Sequence, residues 1–201
     1  MSVRRLAPPE IQPRDFAFSK ENLAWAKKEI TKYPEGRQQS AIIPLLWRAQ
    51  EQHGGWLPEA AIRHVADFLG MAHIRALEVA TFYTMFNLWP VGKFHVQLCG
   101  TTPCRLRGAD DLEKVCRKRI GDQGEVTKGG KFSWIEVECL GACVNAPMVQ
   151  INYDFYEDLT AESFGKIIDN LAAGKKVKTG PQIDRQLSAP AGGATTLKEK
   201  A

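Results

Sequence analysis

The chain lacks any run of about 18 uncharged apolar residues, the length a membrane-spanning helix needs. Its longest uncharged stretch, Val79 to Gly92, is interrupted by Thr81, Thr84, Asn87 and Pro90, so no span is expected. Met1 to Glu10 carries Arg4 and Arg5 but no apolar centre, which argues against a secretory signal, and a retained organellar presequence is not expected because folded-looking sequence begins by about Ser19. No Gly-x-Gly-x-x-Gly follows a strand and no P-loop is present, so a nicotinamide, flavin or nucleotide would have to be held by another chain. Histidine is scarce, at four in 201 residues, and scattered over different elements, which makes a shared histidine-based catalytic site improbable. The net charge of +4 comes from 27 basic and 23 acidic residues without a dense basic stripe, so nucleic acid is not an expected partner. No internal repeat is visible.

An apolar fraction of 44% with 25% charged residues is ordinary for a globular chain, and 201 residues suffice for one or two domains with a real core. Residues 1–18, with Pro8, Pro9 and Pro13, read as an extended arm. Ser19 is a good N-cap with Glu21 in the first turn, and Leu23, Ala26 and Ile30 then give a helical stripe that stops near Tyr33-Pro34. Gln38 to Gln52 reads as a second helix, in which Pro44 must fall in the first turn or make a kink. Pro58 opens a third, closed by Gly70, and His73 to Phe86 reads as a fourth. These predict a small helical bundle over residues 19–92.

After Trp89-Pro90-Val91-Gly92 the period changes. Phe94, Val96 and Leu98 alternate with His95 and Gln97, a strand that runs into Cys99. Gly108 to Ile120 reads as a helix, Phe132 to Val137 as a strand, Met148 to Glu157 as a hairpin around Asn152-Tyr153-Asp154, and Thr160 as the cap of a last helix. Residues 93–177 are therefore expected to form a compact unit of order β-α-β-β-β-α. The tail, 178–201, offers almost no core residues and is expected to be disordered or laid along a partner.

Four of the five cysteines come as two loop pairs, Cys99-Gly-Thr-Thr-Pro-Cys104 and Cys139-Leu-Gly-Ala-Cys143, each marked by glycine or proline. Away from oxidising conditions, paired thiols point to metal more often than to a structural disulfide. Thiolates are soft ligands, and four of them select zinc or an iron–sulfur cluster. Intervals of four and three residues are permitted for zinc knuckles, and a pair with four intervening residues also serves plant-type 2Fe–2S centres, so spacing leaves both metals open. Gly100, Gly141, Ala142 and Ala146 would leave backbone N–H groups free to approach sulfur, and the Thr101 and Thr102 hydroxyls would add donors. Arg105 and Arg107 would favour a reduced, more anionic centre while Glu136 and Glu138 oppose it, which predicts a low midpoint on the order of −400 mV. Cys116, beside Val115 on the apolar face of its helix, reads as a small core residue. Trp56, Trp89 and Trp134 read as packing anchors, and Arg117-Lys118-Arg119 as a solvated helix end.

The two cysteine loops, with Glu136-Val-Glu-Cys139 and Cys143-Val-Asn-Ala-Pro-Met148 around the second, resemble the small 2Fe–2S (E-type) subunit of the NADH dehydrogenase module of respiratory complex I, NADH-quinone oxidoreductase. Tyr33-Pro-Glu-Gly36, Gly55-Trp-Leu-Pro58, Glu78 to Phe86, Pro90-Val-Gly-Lys93 and Tyr156 to Thr160 are similar to family segments too, so the resemblance covers about residues 16–195. It implies an α+β chain, an N-terminal helical bundle followed by a thioredoxin-like 2Fe–2S ferredoxin domain. It implies one 2Fe–2S cluster on Cys99, Cys104, Cys139 and Cys143, with Cys116 left out. It implies an electron-transfer role without a complete active site, beside a partner subunit that holds FMN and NADH and among other subunits of the peripheral arm. The implied location is the cytoplasmic side of a bacterial inner membrane, or the matrix side for a processed organellar chain. Similar modules in NAD-linked formate dehydrogenases or hydrogenases are the alternative host, and a structural zinc module the alternative chemistry. Gly100 stands where some relatives have threonine.

Overall fold

Ser19 accepts the Asn22 N–H on its hydroxyl, satisfying one of the amides a helix start leaves open, and α1 follows over Lys20–Ile30. The structure, a computed structural model, describes residues 4–186 together with 192, 193, 195 and 196. The expected second helix divides. Gln38–Ala41 is a 3-10 turn and α2 is Ile42–Gln52, which places Pro44 in the first helical turn, where its missing N–H breaks no ladder bond. Pro58 precedes α3, Glu59–Phe68.

The fourth helix, α4, is His73–Phe82 and ends four residues before the expected Phe86. The cause lies far away in sequence. The Arg4 guanidinium takes the free carbonyls at this helix end, reaching those of Ala80 (3.4 Å), Thr81 (3.3 Å), Tyr83 (2.8 Å) and Phe86. The Ala7 N–H also bonds the Leu88 carbonyl at 3.1 Å, so this part of the arm is tied to the helices. Their core is formed by Leu45, Leu46, Ala49, Leu57, Ile62, Val65 and Phe86, all fully buried, with α3 packed on α2 and α4. Burying each of the leucine, isoleucine, valine and phenylalanine side chains among them contributes about 1.5–3 kcal/mol before the entropy of ordering is subtracted.

Contacts divide the chain into two compact units. The first runs through Lys93 and also takes in Val126–Ser133; the second comprises Phe94–Glu125 and the described residues from Trp134 onward. The excursion of 126–133 has a local reason. The Gly92 N–H bonds Ser133 Oγ at 2.9 Å and the Lys93 N–H bonds the Gly130 carbonyl at 2.9 Å. A side chain at position 92 would collide with the Phe132 backbone, so only glycine allows this approach.

The second unit is built on five strands, β1 Phe94–Cys99, β2 Phe132–Val137, β3 Val149–Ile151, β4 Asp154–Glu157 and β5 Gly180–Pro181, of which β2 has its first two residues in the first unit. Their order is β2-β1-β3-β4-β5. Lys93→Gly130 and Gly100→Val137 bonds join residues at one constant offset, so β1 and β2 run in the same direction. β3 is antiparallel to β1 (Val96 opposite Ile151) and to β4 (Val149 opposite Tyr156), and β5 is parallel to β4. Asn152 turns the hairpin at φ 54°, a region that asparagine tolerates. Two helices occupy the β1–β2 crossover, α5 Thr102–Leu106 and α6 Ala109–Arg119; the shorter was not expected. Thr160 and Ser163 cap α7, Ala161–Ala172, reciprocally. α6 packs on β1 and against α7.

The chain is thus α+β with N-terminal helices. Trp134 is fully buried with its indole N–H on the Gly121 carbonyl at 2.8 Å, and Trp56 is buried, but Trp89 is 50% exposed and is not the packing anchor expected of it. Cys116 is fully buried on α6. The basic run at the end of α6 is ion-paired rather than merely solvated: Arg117 meets Glu113 at 2.9 Å and Arg119 meets Asp169. The tail also departs from expectation. Residues 180–181 add a strand to the chain's own sheet, while 187–191, 194 and 197–201 lie outside the described residues.

Candidate metal centre

β1 ends at Cys99, and the chain turns through Gly100 and Thr101 into α5, whose third residue is Cys104. Both thiols are buried, at 2% and 1% exposure, among Ala109, Ala146 and Met148, with Leu140, Ala142 and Phe155 packed alongside. The second loop leaves β2 at Val137 and passes through Cys139 to a 3-10 turn at Cys143–Asn145; both of its thiols are exposed. Their sulfurs are 3.7 Å apart, and the Gly141 N–H donates to Cys139 Sγ at 3.3 Å. The Ala146–Pro147 bond that follows is cis.

The loops interlock. Burial pushes the Cys99 thiol up, but hydrogen bonds from the Thr101 hydroxyl and N–H, the Leu140 N–H and Cys104 outweigh it and hold the thiol below its ordinary value. Leu140 lies between the second pair of cysteines, so the second loop solvates a sulfur of the first. Burial and the hydrogen bond with Cys99 push Cys104 up to about 12, against a lowering bond from the Met148 N–H. Charge on Cys143 also raises Cys104. Cys143 is raised by its hydrogen bond with Cys139, then by burial and by charge on Cys139 and Cys99. Cys143 is therefore within electrostatic reach of Cys99 and Cys104 as well as of its own partner Cys139, and Cys116 does not join them. They stand as two pairs; among the described residues, no three ligating side chains converge as for a single metal ion.

The donors around sulfur are only in part those read in the sequence: Gly141 and Thr101 donate as expected, Gly100 and Ala146 do not. The Gly100 N–H is taken by the Val137 carbonyl at 3.0 Å, and the Ala146 N–H by the Cys143 carbonyl at 3.3 Å. The amides of Leu140 and Met148 serve sulfur in their place, and a backbone donor beneath a large side chain leaves no composition signal. Thr101 Oγ1 lies 3.4 Å from Cys99 Sγ. The opposed charges near the site meet directly: Arg105 bonds Glu136 (2.8 Å), Asp110 and the Gly100 carbonyl (3.2 Å). Arg107 turns to the Ala146 carbonyl at 3.4 Å. His95, four residues before Cys99, is buried, and desolvation lowers its pKa to about 4.

The profile of the thioredoxin-like [2Fe-2S] ferredoxin family matches residues 26–172, a stretch that contains both cysteine loops. A solved NAD+-reducing [NiFe]-hydrogenase shares the fold at a TM-score of 0.55 and 19% identity, over 64% of this chain and 22% of that one. Among curated proteins, one NADH-quinone oxidoreductase E-type subunit of Rhizobium meliloti is 64% identical over 98% of this chain and 73% of its own length. Its counterpart in Rickettsia bellii is 61% identical over 78% of this chain and 95% of its own. The chain belongs to the thioredoxin-like 2Fe–2S ferredoxins and, within them, to the family of E-type subunits of NADH-quinone oxidoreductases. Among its described residues, no helix is long and apolar enough to cross a membrane.

Proposed function

We propose that this chain is the 2Fe–2S electron-transfer subunit of a proton-pumping NADH:quinone oxidoreductase, with Cys99, Cys104, Cys139 and Cys143 as the cluster ligands. The observation that carries the ligand reading is the meeting of the two loops: four thiols in two pairs, joined by the bond from the Leu140 N–H to Cys99. A binuclear core takes two thiolates per iron, and paired thiols suit it better than convergence on one ion would. When bound, such a cluster supplies reversible one-electron transfer.

The chain's own residues supply the setting. N–H groups of Thr101, Leu140, Gly141 and Met148 and the Thr101 hydroxyl donate to sulfur, favouring thiolate over thiol. Ala109, Met148 and Phe155 exclude water from the first pair. Arg105 is spent on Glu136 and Asp110, which offsets its pull on an anionic centre and favours a low midpoint, while Arg107, bonded to the Ala146 carbonyl, acts in the opposite sense. With no nicotinamide- or flavin-binding motif of its own, the chain serves as a non-catalytic subunit beside one that holds FMN and NADH, on the cytoplasmic side of the membrane. Leu106 and Val144, 82% and 86% exposed next to the two loops, are apolar surface that such a partner would cover.

Metal analysis and EPR on the purified complex and on the full chain test this reading. Stoichiometric iron with sulfide, a reduced-state signal of a 2Fe–2S centre, and loss of that signal in Cys139→Ala and Cys99→Ala are expected. Zinc in place of iron, or a signal that survives both substitutions, would overturn it.

A further inference from the structure

The second cysteine loop is exposed at Cys139, Gly141, Cys143 and Val144, and regular structure does not fix it beyond one 3-10 turn. What fixes it comes from some forty residues downstream. Gly180–Pro181 joins the sheet beside β4, and the Gln182 N–H extends the pairing to the Glu157 carbonyl at 3.0 Å. Gln182 folds its amide back on the carbonyls of Lys178 and Gly180, both at 2.9 Å, which sets the direction of the chain that follows. Three residues later, Arg185 enters a polar pocket. One guanidinium nitrogen bonds Asn145 Oδ1 at 2.5 Å and the other bonds Asp158 Oδ1 at 2.7 Å.

Asn145 is two residues past Cys143, and every polar group it has is engaged. Its amide nitrogen bonds Glu157 Oε2 at 2.5 Å, its carbonyl takes the Asp158 N–H at 2.7 Å, and its own N–H closes the turn on the Ala142 carbonyl at 2.9 Å. The Asp158 side chain is 4% exposed, and φ at this residue is 53°, a left-handed conformation that aspartate tolerates. A buried carboxylate needs a cation, and Arg185 is the cation it meets. The fork geometry of the guanidinium lets one side chain neutralise Asp158 and hold Asn145 together; an ammonium is a point charge without that fork.

We propose that residues 178–186 form a clasp over the second cysteine loop and that Arg185 is its positioning residue, acting on Cys143 through Asn145. The role in metal retention rests on the ligand reading above; the fixing of the loop does not. Arg185→Lys is the informative variant, because it keeps a charge for Asp158 and removes the fork that reaches Asn145. In the full chain it should speed bleaching of the visible absorption by an iron chelator roughly tenfold or more, the scale on which outer contacts of a metal site act. It should also broaden the reduced EPR signal and increase amide exchange over residues 143–147, with the melting midpoint little changed. Asn145→Ala should do the same and add nothing to Arg185→Lys when combined. Arg185→Ala with Asp158→Asn, which removes the buried charge as well as its partner, should match them. Wild-type bleaching rates in all three would overturn the clasp. A wild-type chain without iron would fail the ligand reading instead, and exchange at 143–147 would still decide the clasp.

Discussion

Acid should destabilise the ferredoxin unit through His95 before most of its carboxylates protonate. The residue is 5% exposed in β1, its backbone N–H bonds Asn152 Oδ1 at 2.9 Å, and its carbonyl takes the Asn152 N–H at 3.0 Å, so it sits under the hairpin turn. Burial lowers its pKa from 6.5 to about 4. Between these values the unfolded chain binds a proton that the folded chain does not, so this contribution is present above the unfolded value and is lost as pH falls through the folded one. Linkage gives a loss of about 2 kcal/mol from pH 7 to about pH 5 and about 3 kcal/mol by about pH 4. The assay is urea unfolding between these pH values, read by pulse-labelled hydrogen exchange on the β1 and β3 peptides, for wild type and His95→Gln. Glutamine carries no titrating group, so the difference between the two proteins isolates the histidine whatever the cysteines and carboxylates do. Parallel pH profiles, with a difference constant to about 0.5 kcal/mol, would refute the reasoning, because they would mean the imidazole charges in place.

Cys116→Ala should lower stability by about 1 kcal/mol through a small cavity, and Cys116→Ser by about 1–3 kcal/mol through an unpaired hydroxyl, while both leave the metal content and EPR signal untouched. Gly100→Thr should displace the Glu136 carboxylate that lies over this position and release Arg105, moving the melting midpoint by no more than about 3 °C. Since Glu136 is a flexible side chain, Glu136→Ala should absorb most of that effect, and additive midpoint shifts in the double variant would show that the clash lies elsewhere.

What could be read from residues was whatever local chemistry sets. Ser19 and Thr160 announce helix starts because a short polar oxygen satisfies an open amide, and the alternation at Phe94, Val96 and Leu98 delivers Cys99 to a strand end. The grouping of four thiols into two loop pairs was legible from spacing alone. Where expectation and structure part, a distant group decides. α4 ends early because Arg4 caps it, Trp89 stays half exposed while its indole N–H bonds the Arg5 carbonyl, and the tail forms β5 because β4 offers an open edge. Edge pairing needs only backbone groups, so a segment as poor in core residues as Gly180-Pro181 gives no sign of it.

The two cysteine pairs are consequently different in kind. Cys99 and Cys104 are placed by a central strand and the helix that follows it, in a packed setting that forms with the fold. Cys139 and Cys143 lie on an exposed loop whose shape depends on Asn145, Asp158 and Arg185. Loops open locally at much lower cost than core strands, so the first pair should keep its thiols in place when the second loosens. A redox partner meets the same asymmetry, since only the second pair, with Leu106 and Val144 beside the loops, is open to contact. With the proposed ligand set, anchoring one pair in the core and presenting the other outward would let one small unit both retain a metal centre and offer an electron to another chain.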